Sequence, residues 1–273
     1  MSINSCDFNY LRQLMRQYSS MVLDSDKAYL AELRLAPLVA KMKLNSLGEL
    51  ISKLQTQPLS RLHIEVVEAM LLTETSFFRD GYPFEAIAKF ILPQLISNQR
   101  GKRRLNVWCA ACSSGQEPYS LAMLLCEHFP ELAHGQVQLL ATDLSSKMLD
   151  RAREGSYSQV EIARGLPKQL LMNYFHNSGY EWQLKDCIRE MVEFRQMNLV
   201  TDSLTQSFFD IIFLRNVLIY FDVETKKKVL DKVKQVLSPH GYLFLGSGET
   251  TLNLDDSFQQ LQFNKAVFYK LRS

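Results

Sequence analysis

Leu105-Asn-Val-Trp-Cys-Ala-Ala-Cys-Ser-Ser-Gly-Gln-Glu-Pro-Tyr-Ser120 decides the fold of this 273-residue chain. It opens as a short apolar run and breaks at small residues with one glycine. It then enters a helical run with Pro118 near the first turn. Strand, tight turn and helix N-terminus in that order build a nucleotide-sized pocket. Small residues let backbone approach a ligand, and the first helical turn offers N–H groups without intrahelical partners.

Downstream, apolar runs and helical runs alternate. Strands are expected at Leu105–Ala110, Val137–Asp143, Phe209–Asn216, Gly241–Gly246 and Ala266–Leu271, with helices at Tyr119–His128, Lys147–Glu154 and Thr225–Leu237. This spacing predicts an α/β domain with a mostly parallel, doubly wound sheet, right-handed crossovers and ligands at the carboxyl ends of the strands. Residues 174–198 break the alternation. Asn177-Ser-Gly179 is a turn signal followed by alternating residues, which predicts a small antiparallel insertion.

Upstream, residues 1–72 read as a helical domain. They contain one glycine, Gly48, and apolar residues recur at helical spacing through Leu44, Leu47, Leu50, Ile51 and Leu54. Pro37 is expected to start or kink a helix, and Pro58 interrupts again before Leu62–Leu72. Residues 73–104 are expected to connect this domain to a second one at 105–273. Within the connector, Thr73-Glu-Thr-Ser-Phe-Phe-Arg-Asp80 is an odd linker, with adjacent aromatics among polar residues. Phe84–Ile96 reads as an amphipathic helix and Gly101 as a surface turn. Between residues 27 and 61, Lys27, Arg34, Lys41, Lys43, Lys53 and Arg61 face only Glu32 and Glu49. That is either a solvated helix face or a docking surface for an acidic partner.

Composition narrows the function. Apolar content of 47%, charged content of 22% and a net charge of +2 describe an ordinary globular chain and argue against a dedicated nucleic-acid binder. No apolar run nears the ~20 residues that span a bilayer. The N-terminus lacks the basic and apolar blocks of a signal peptide, so a cytoplasmic protein is expected. Its five scattered cysteines are then reduced thiols.

Asp143 ends the second strand about 25 residues beyond the turn, where an acid accepts hydrogen bonds from ribose hydroxyls. The alternative is an N-cap for the following helix. With Gly115 as its one glycine, the turn lacks the pyrophosphate fingerprint of NAD or FAD sites. A ligand without pyrophosphate, such as S-adenosylmethionine, fits better. Cys109 and Cys112 form a C-x-x-C, but with no second pair or histidine cluster they read as small buried residues rather than a redox or metal site. No metal is expected.

Three stretches together carry a resemblance: Thr73–Asp80, Cys112-Ser-Ser-Gly-Gln-Glu-Pro-Tyr-Ser120, and Leu214-Arg-Asn-Val-Leu-Ile-Tyr-Phe-Asp222. Over nearly its whole length the chain resembles the CheR-type chemotaxis receptor methyltransferases. These transfer a methyl group from S-adenosylmethionine to glutamate side chains of chemoreceptor cytoplasmic domains, giving methyl esters and S-adenosylhomocysteine in chemotaxis adaptation. The resemblance implies a Rossmann-like methyltransferase sheet, an N-terminal all-helical domain and a small antiparallel β-subdomain. It also implies site residues. Thr73, Thr75 and Arg79 would reach over the cofactor, and Ala110 and Gly115 would line it. Glu117 would bind the charged methionine end, Asp143 the ribose, and Asn198 with Leu199 the adenine. Arg215 and Asn216 would close the pocket, while Arg79 and Tyr220 would stand beside the transferred methyl.

From the residues alone, Arg79 reads as a salt-bridge former and Tyr220 as a core aromatic; the motifs assign them to the site. The basic helix face, with Arg34, Lys41 and Lys43, would dock the receptor, although Leu38 and Ala40 stand where the family carries arginine. The short Asn177–Tyr180 loop suggests a member that does not bind a receptor tail peptide. A monomer is expected, with no nucleic acid bound and no membrane insertion. An RNA or small-molecule methyltransferase, or a signalling module that only senses the cofactor, are the rival readings.

Overall fold

The computed structural model describes residues 3–98, 104–133, 135–204 and 208–272. The chain forms two compact units. One holds the residues up to Leu72 together with Tyr220–Thr225; the other holds Thr73–Ile219 and the residues from Lys226 onward.

The first unit contains α1 (Ser5–Ser19), α2 (Ala28–Lys41), α3 (Leu47–Thr56) and α4 (Arg61–Met70). Asn4 caps α1 by accepting the Asp7 N–H, and Ser46 caps α3 by accepting the Glu49 N–H. Both caps satisfy amide donors that the first helical turn leaves unpaired. Leu11, Leu35, Leu50, Ile51 and Val66 are wholly buried, so the helical periodicity of the sequence is the periodicity of the core. Pro37 neither starts nor ends a helix: it lies inside α2, on the exposed side, where water can serve the carbonyl that loses its donor.

The second unit begins at Thr73, so residues 73–98 are part of it rather than a connector. Phe77 is wholly buried, edge-on to Tyr157 and Phe175 at centroid distances of 5.0 and 5.7 Å. Phe78 packs on Phe84 at 5.1 Å. The adjacent aromatics are anchors. A long helix follows as α5 (Tyr82–Ala86), a π-helical turn (Ile87–Ile91) and α6 (Leu92–Asn98). In the π turn the Leu92 N–H reaches back to the Ile87 carbonyl. The wider turn accommodates Pro93, which has no N–H for the regular ladder and would crowd it. The turn expected at Gly101 lies outside the described residues.

The remaining elements are β1 (Leu105–Ala110), α7 (Gln116–His128), α8 (Pro130–Ala133), β2 (Val137–Asp143), α9 (Ser146–Glu154), β3 (Ser156–Ser158), α10 (Gln159–Ala163) and α11 (Lys168–Tyr174). They continue as β4 (Phe175–Ser178), β5 (Glu181–Leu184), α12 (Asp186–Arg189), β6 (Val192–Gln196), β7 (Phe209–Leu214), a 3-10 turn (Leu218–Tyr220), α13 (Val223–Val236), β8 (Leu237–Leu245), β9 (Phe258–Phe263) and β10 (Ala266–Leu271). The main sheet runs β6–β2–β1–β7–β8–β10–β9, with its first five strands parallel and β10 and β9 antiparallel. β1 and β7 are sheet neighbours separated by about 100 residues of chain, so strand order reverses between them. At such a switch point the loops part and leave a crevice at the carboxyl ends of the strands.

Three strands, β3, β6 and β9, differ from expectation. The antiparallel insertion is β3–β5–β4, spanning Ser156–Leu184, whereas Val192–Gln196 pairs parallel with β2 as an edge strand of the main sheet. An edge strand is only half buried, so its residues alternate like those of an antiparallel ribbon. β9 went unread because Gln259, Gln260 and Gln262 mask it; they are exposed on the opposite edge.

Phe77→Ala should destabilise the second unit by ~3–5 kcal/mol through a cavity beneath the Thr73–Asp80 segment. A shift in its denaturant midpoint checks this, and a loss below ~1 kcal/mol would contradict the anchoring role.

Candidate active site

The turn after β1 is bent by local backbone conformation. Ala111, Ser113 and Gly115 all have positive φ, at 55°, 52° and 90°. Gly115 is required twice over. Its φ suits glycine, and a Cβ there would stand 2.9 Å from the Ala152 Cβ. The Gly115 carbonyl accepts the Tyr119 N–H and starts α7, whose first turn carries Glu117. An acid at a helix N-terminus is favoured by the exposed amide dipoles.

Asp143 ties two loops together. One carboxylate oxygen accepts the Ser113 N–H at 2.8 Å, the other the Ser145 N–H at 2.9 Å. The N-cap of α9 is Ser145, which accepts the Met148 N–H; the capping alternative for Asp143 is thereby corrected. The Asp143 carbonyl accepts the Met197 N–H, bringing the loop after β6 alongside. There Leu199 is buried, and the Asn198 side chain accepts the Val200 and Thr201 N–H groups.

Arg215, at the end of β7, has a side chain only 1% exposed. It donates to Glu117 at 2.8 Å, to the Asp80 carboxylate and to the Arg79 carbonyl at 3.2 Å. Its Nε is the one buried side-chain nitrogen or oxygen without a partner among the described residues. Burial pushes the Glu117 carboxyl above its ordinary value, and the Arg215 guanidinium pulls it back. Glu117 Oε1 accepts from no described residue. Asn216 follows in the left-handed region at φ 59°. Its N–H, with those of Gly246 and Ile219, is held by Glu249.

The Thr73–Asp80 segment is fastened to the same place. Ser113 donates to the Thr73 carbonyl at 2.7 Å, and the Phe78 N–H donates to the Ser120 hydroxyl at 2.9 Å. Arg79 donates to the Glu74 carbonyl, and its charge acts on the Glu117 carboxyl. Thr75 is half-buried in this segment. Thr73, Thr75, Arg79, Ala110, Gly115, Glu117, Asp143, Arg215 and Asn216 thus belong to one unit and stand at or after the carboxyl ends of its strands or in the segment fastened there. Tyr220 groups with the helical unit, its carbonyl accepting the Val22 N–H at 2.8 Å. Asp80, Ser113, Ser120 and Glu249 were not read from sequence; they bond to residues remote in the chain, so no local pattern marks them.

Two buried acids beside the start of α7 decide what the crevice can hold. A phosphate, the usual guest of a helix N-terminus, would meet Glu117 and Asp143. A ligand with an ammonium or sulfonium group and ribose hydroxyls meets acceptors instead. S-adenosylmethionine has those groups and no phosphate, and the residues fit it. Cys109 and Cys112 are buried; burial and neighbouring carboxylates push their thiols well up, so they pack rather than react. Among the described residues no cluster of three His, Cys, Asp or Glu could hold a metal ion.

On the helical unit, Arg34 donates to the Met70 and Leu71 carbonyls and closes the C-terminus of α4. That use binds it to its own fold. Lys41 and Lys43 are exposed, Lys41 within 3.6 Å of Glu65. Leu38 is in the core, so arginine has no room there; Ala40 is exposed.

Comparison with known proteins agrees with this geometry. Residues 7–71 match the all-alpha domain of CheR methyltransferases and residues 73–267 match their SAM-binding domain. The chain is 43% identical to chemotaxis protein methyltransferase 1 of Pseudomonas aeruginosa and 41% identical to chemotaxis protein methyltransferase Cher2 of Pseudomonas putida. Both alignments cover 100% of each chain. It is 38% identical to the chemotaxis protein methyltransferase of Vibrio anguillarum, over 99% of this chain and 98% of that one. With an acid-lined crevice at the switch point of a doubly wound sheet and both family domains matched along its length, the chain belongs to the CheR family of S-adenosylmethionine-dependent methyltransferases.

Proposed function

We propose that the protein esterifies glutamate side chains in the cytoplasmic domains of chemoreceptors, in chemotaxis adaptation. The observation that carries this reading is the buried Arg215–Glu117 pair, joined by Asp80, beside the acid-lined turn, in a chain of this family. Bound S-adenosylmethionine supplies an electrophilic methyl group on a sulfonium and leaves as S-adenosylhomocysteine. The attacking group is the glutamate carboxylate, already ionised at neutral pH, so the protein needs no strong base. A C–O bond forms as the S–C bond breaks, and opposite charges are neutralised.

Under this reading the chain's residues hold and exclude rather than exchange protons. Glu117 receives the ammonium end, through the oxygen that Arg215 does not occupy. Asp143 accepts from the ribose hydroxyls, already oriented by the Ser113 and Ser145 amides. Asn198 and Leu199 border the adenine, with Leu199 supplying apolar surface. Thr73 and Thr75 cover the site, and Arg215 with Asn216 closes it. Arg79 orients the substrate carboxylate by paired hydrogen bonds, which a planar guanidinium makes best. Tyr220 constrains the approach of oxygen to methyl. In-line positioning and exclusion of water are then the main sources of rate. The cytoplasm, where the receptor domains lie, is the site of action. Arg34, Lys41 and Lys43 serve receptor docking, Arg34 while also donating to the Met70 and Leu71 carbonyls.

Radiolabelled S-adenosylmethionine offered with receptor cytoplasmic fragments should give base-labile methyl incorporation into receptor glutamates. Cofactor binding without incorporation into any receptor would sink this reading. Arg79→Ala should lower kcat by about 100-fold while changing cofactor affinity less than about 3-fold. Equal losses in both would make Arg79 a cofactor ligand instead. Replacing Lys41 and Lys43 together with Glu should raise KM for the receptor fragment and reduce its dependence on salt. An unchanged KM across ionic strengths would remove the basic face from docking.

A further inference from the structure

One carboxylate holds the loop that carries Asn216 and is flanked by Arg215 and Tyr220. Glu249 follows β8, in Gly246-Ser-Gly-Glu249. Its own N–H bonds the Gly246 carbonyl at 2.9 Å, a tight turn that returns the side chain toward the strand end. Oε2 accepts the Gly246 N–H at 2.7 Å and the Asn216 N–H at 2.8 Å; Oε1 accepts the Ile219 N–H at 3.2 Å. The carboxylate therefore grips both ends of the Asn216–Ile219 segment. Arg215 is the residue before the first grip and Tyr220 the residue after the second.

Two backbone features are shaped to this grip. Asn216 has φ 59°, a conformation that costs most residues about 1 kcal/mol or more and that asparagine tolerates best after glycine. At Gly246 a Cβ would stand 2.7 Å from Asn216 Nδ2, 2.8 Å from Glu249 Oε2 and 2.9 Å from Asn216 N. Any larger residue would part the two loops. β7 and β8 are parallel neighbours with Leu214 opposite Leu245, so their ends emerge side by side and need a bridge with acceptors. An ionised carboxylate is the one side chain that can accept several N–H groups without bringing a donor of its own.

We propose that Glu249 is a positioning residue for the cofactor site, acting through Arg215: it fixes the backbone from which the guanidinium reaches Glu117 and Asp80. The inference rests on Arg215 closing the cofactor pocket. Its test reads affinity for S-adenosylhomocysteine by calorimetry and needs no receptor, so a failure of receptor methylation leaves it standing.

Glu249→Ala should raise the Kd about tenfold, and Glu249→Gln less, because the amide keeps one acceptor oxygen. A purely structural role would weaken the fold in any background, whereas positioning through Arg215 must disappear with Arg215. In an Arg215→Ala background, Glu249→Ala should therefore change the Kd less than about 2-fold. Equal effects in both backgrounds, or a folded Glu249→Ala protein with unchanged Kd, would overturn the proposal. Should Glu249→Ala not fold, Glu249→Gln carries the same cycle with the same criteria.

Discussion

A guanidinium buried to 1% exposure is the constraint on which the second unit's site depends. An unpaired cation there would be prohibitive, so Arg215 requires anions on more than one side. Glu117 comes from the first turn of α7, Asp80 from the segment before α5, and the Arg79 carbonyl joins them. Three chain segments, more than 130 residues apart at their extremes, are thereby fixed to one planar group. A fork of donors suits that task, since its directions are rigid and a single ammonium would not span them. The pair also sets the character of the crevice: burial raises the Glu117 carboxyl, and the adjacent Arg215 guanidinium opposes that rise.

Around this centre, the sheet contributes direction and the loops contribute conformation. Parallel strands deliver every loop to the same end, and the reversal of strand order between β1 and β7 opens space between them. The loops then adopt positive φ at Phe78, Asp80, Ala111, Ser113 and Asn216, none of them glycine. Such backbone is sustained only when surroundings over-determine it, and here hydrogen bonds with Ser113, Ser120, Asp143 and Glu249, buried or partly buried, do so. Strained backbone concentrates where side chains must point inward from several elements at once.

Legibility in the sequence followed burial and range. The parallel strands could be read because both their faces are covered, which leaves continuous apolar runs such as Phe209–Leu214. Edge strands could not: β6 alternates like an antiparallel ribbon, and half of β9 is exposed glutamine. The site divided in the same way. Gly115 and Asp143 sit at fixed offsets from a strand end, where local chemistry is informative. Arg79, Glu117, Arg215 and Tyr220 carry no such local signal; only the joint resemblance of three distant motifs singled them out. Arg34 read as part of a docking face because charge is visible in sequence, whereas the carbonyls of Met70 and Leu71 that it closes are not.

The sequence by itself determined the class of the molecule: a helical segment, then strand–helix alternation with a turn too poor in glycine for a pyrophosphate. Hydrophobic period and turn chemistry are local properties, and one chain states them completely. Only the tertiary structure decided that Thr73–Asp80 is an anchored wall and not a linker, that Glu117 and Asp80 share one arginine, and that Glu249 grips the loop after β7. Each of these depends on groups brought together from distant positions, and their energies arise from burial and exclusion of water, which no stretch of sequence possesses before it folds.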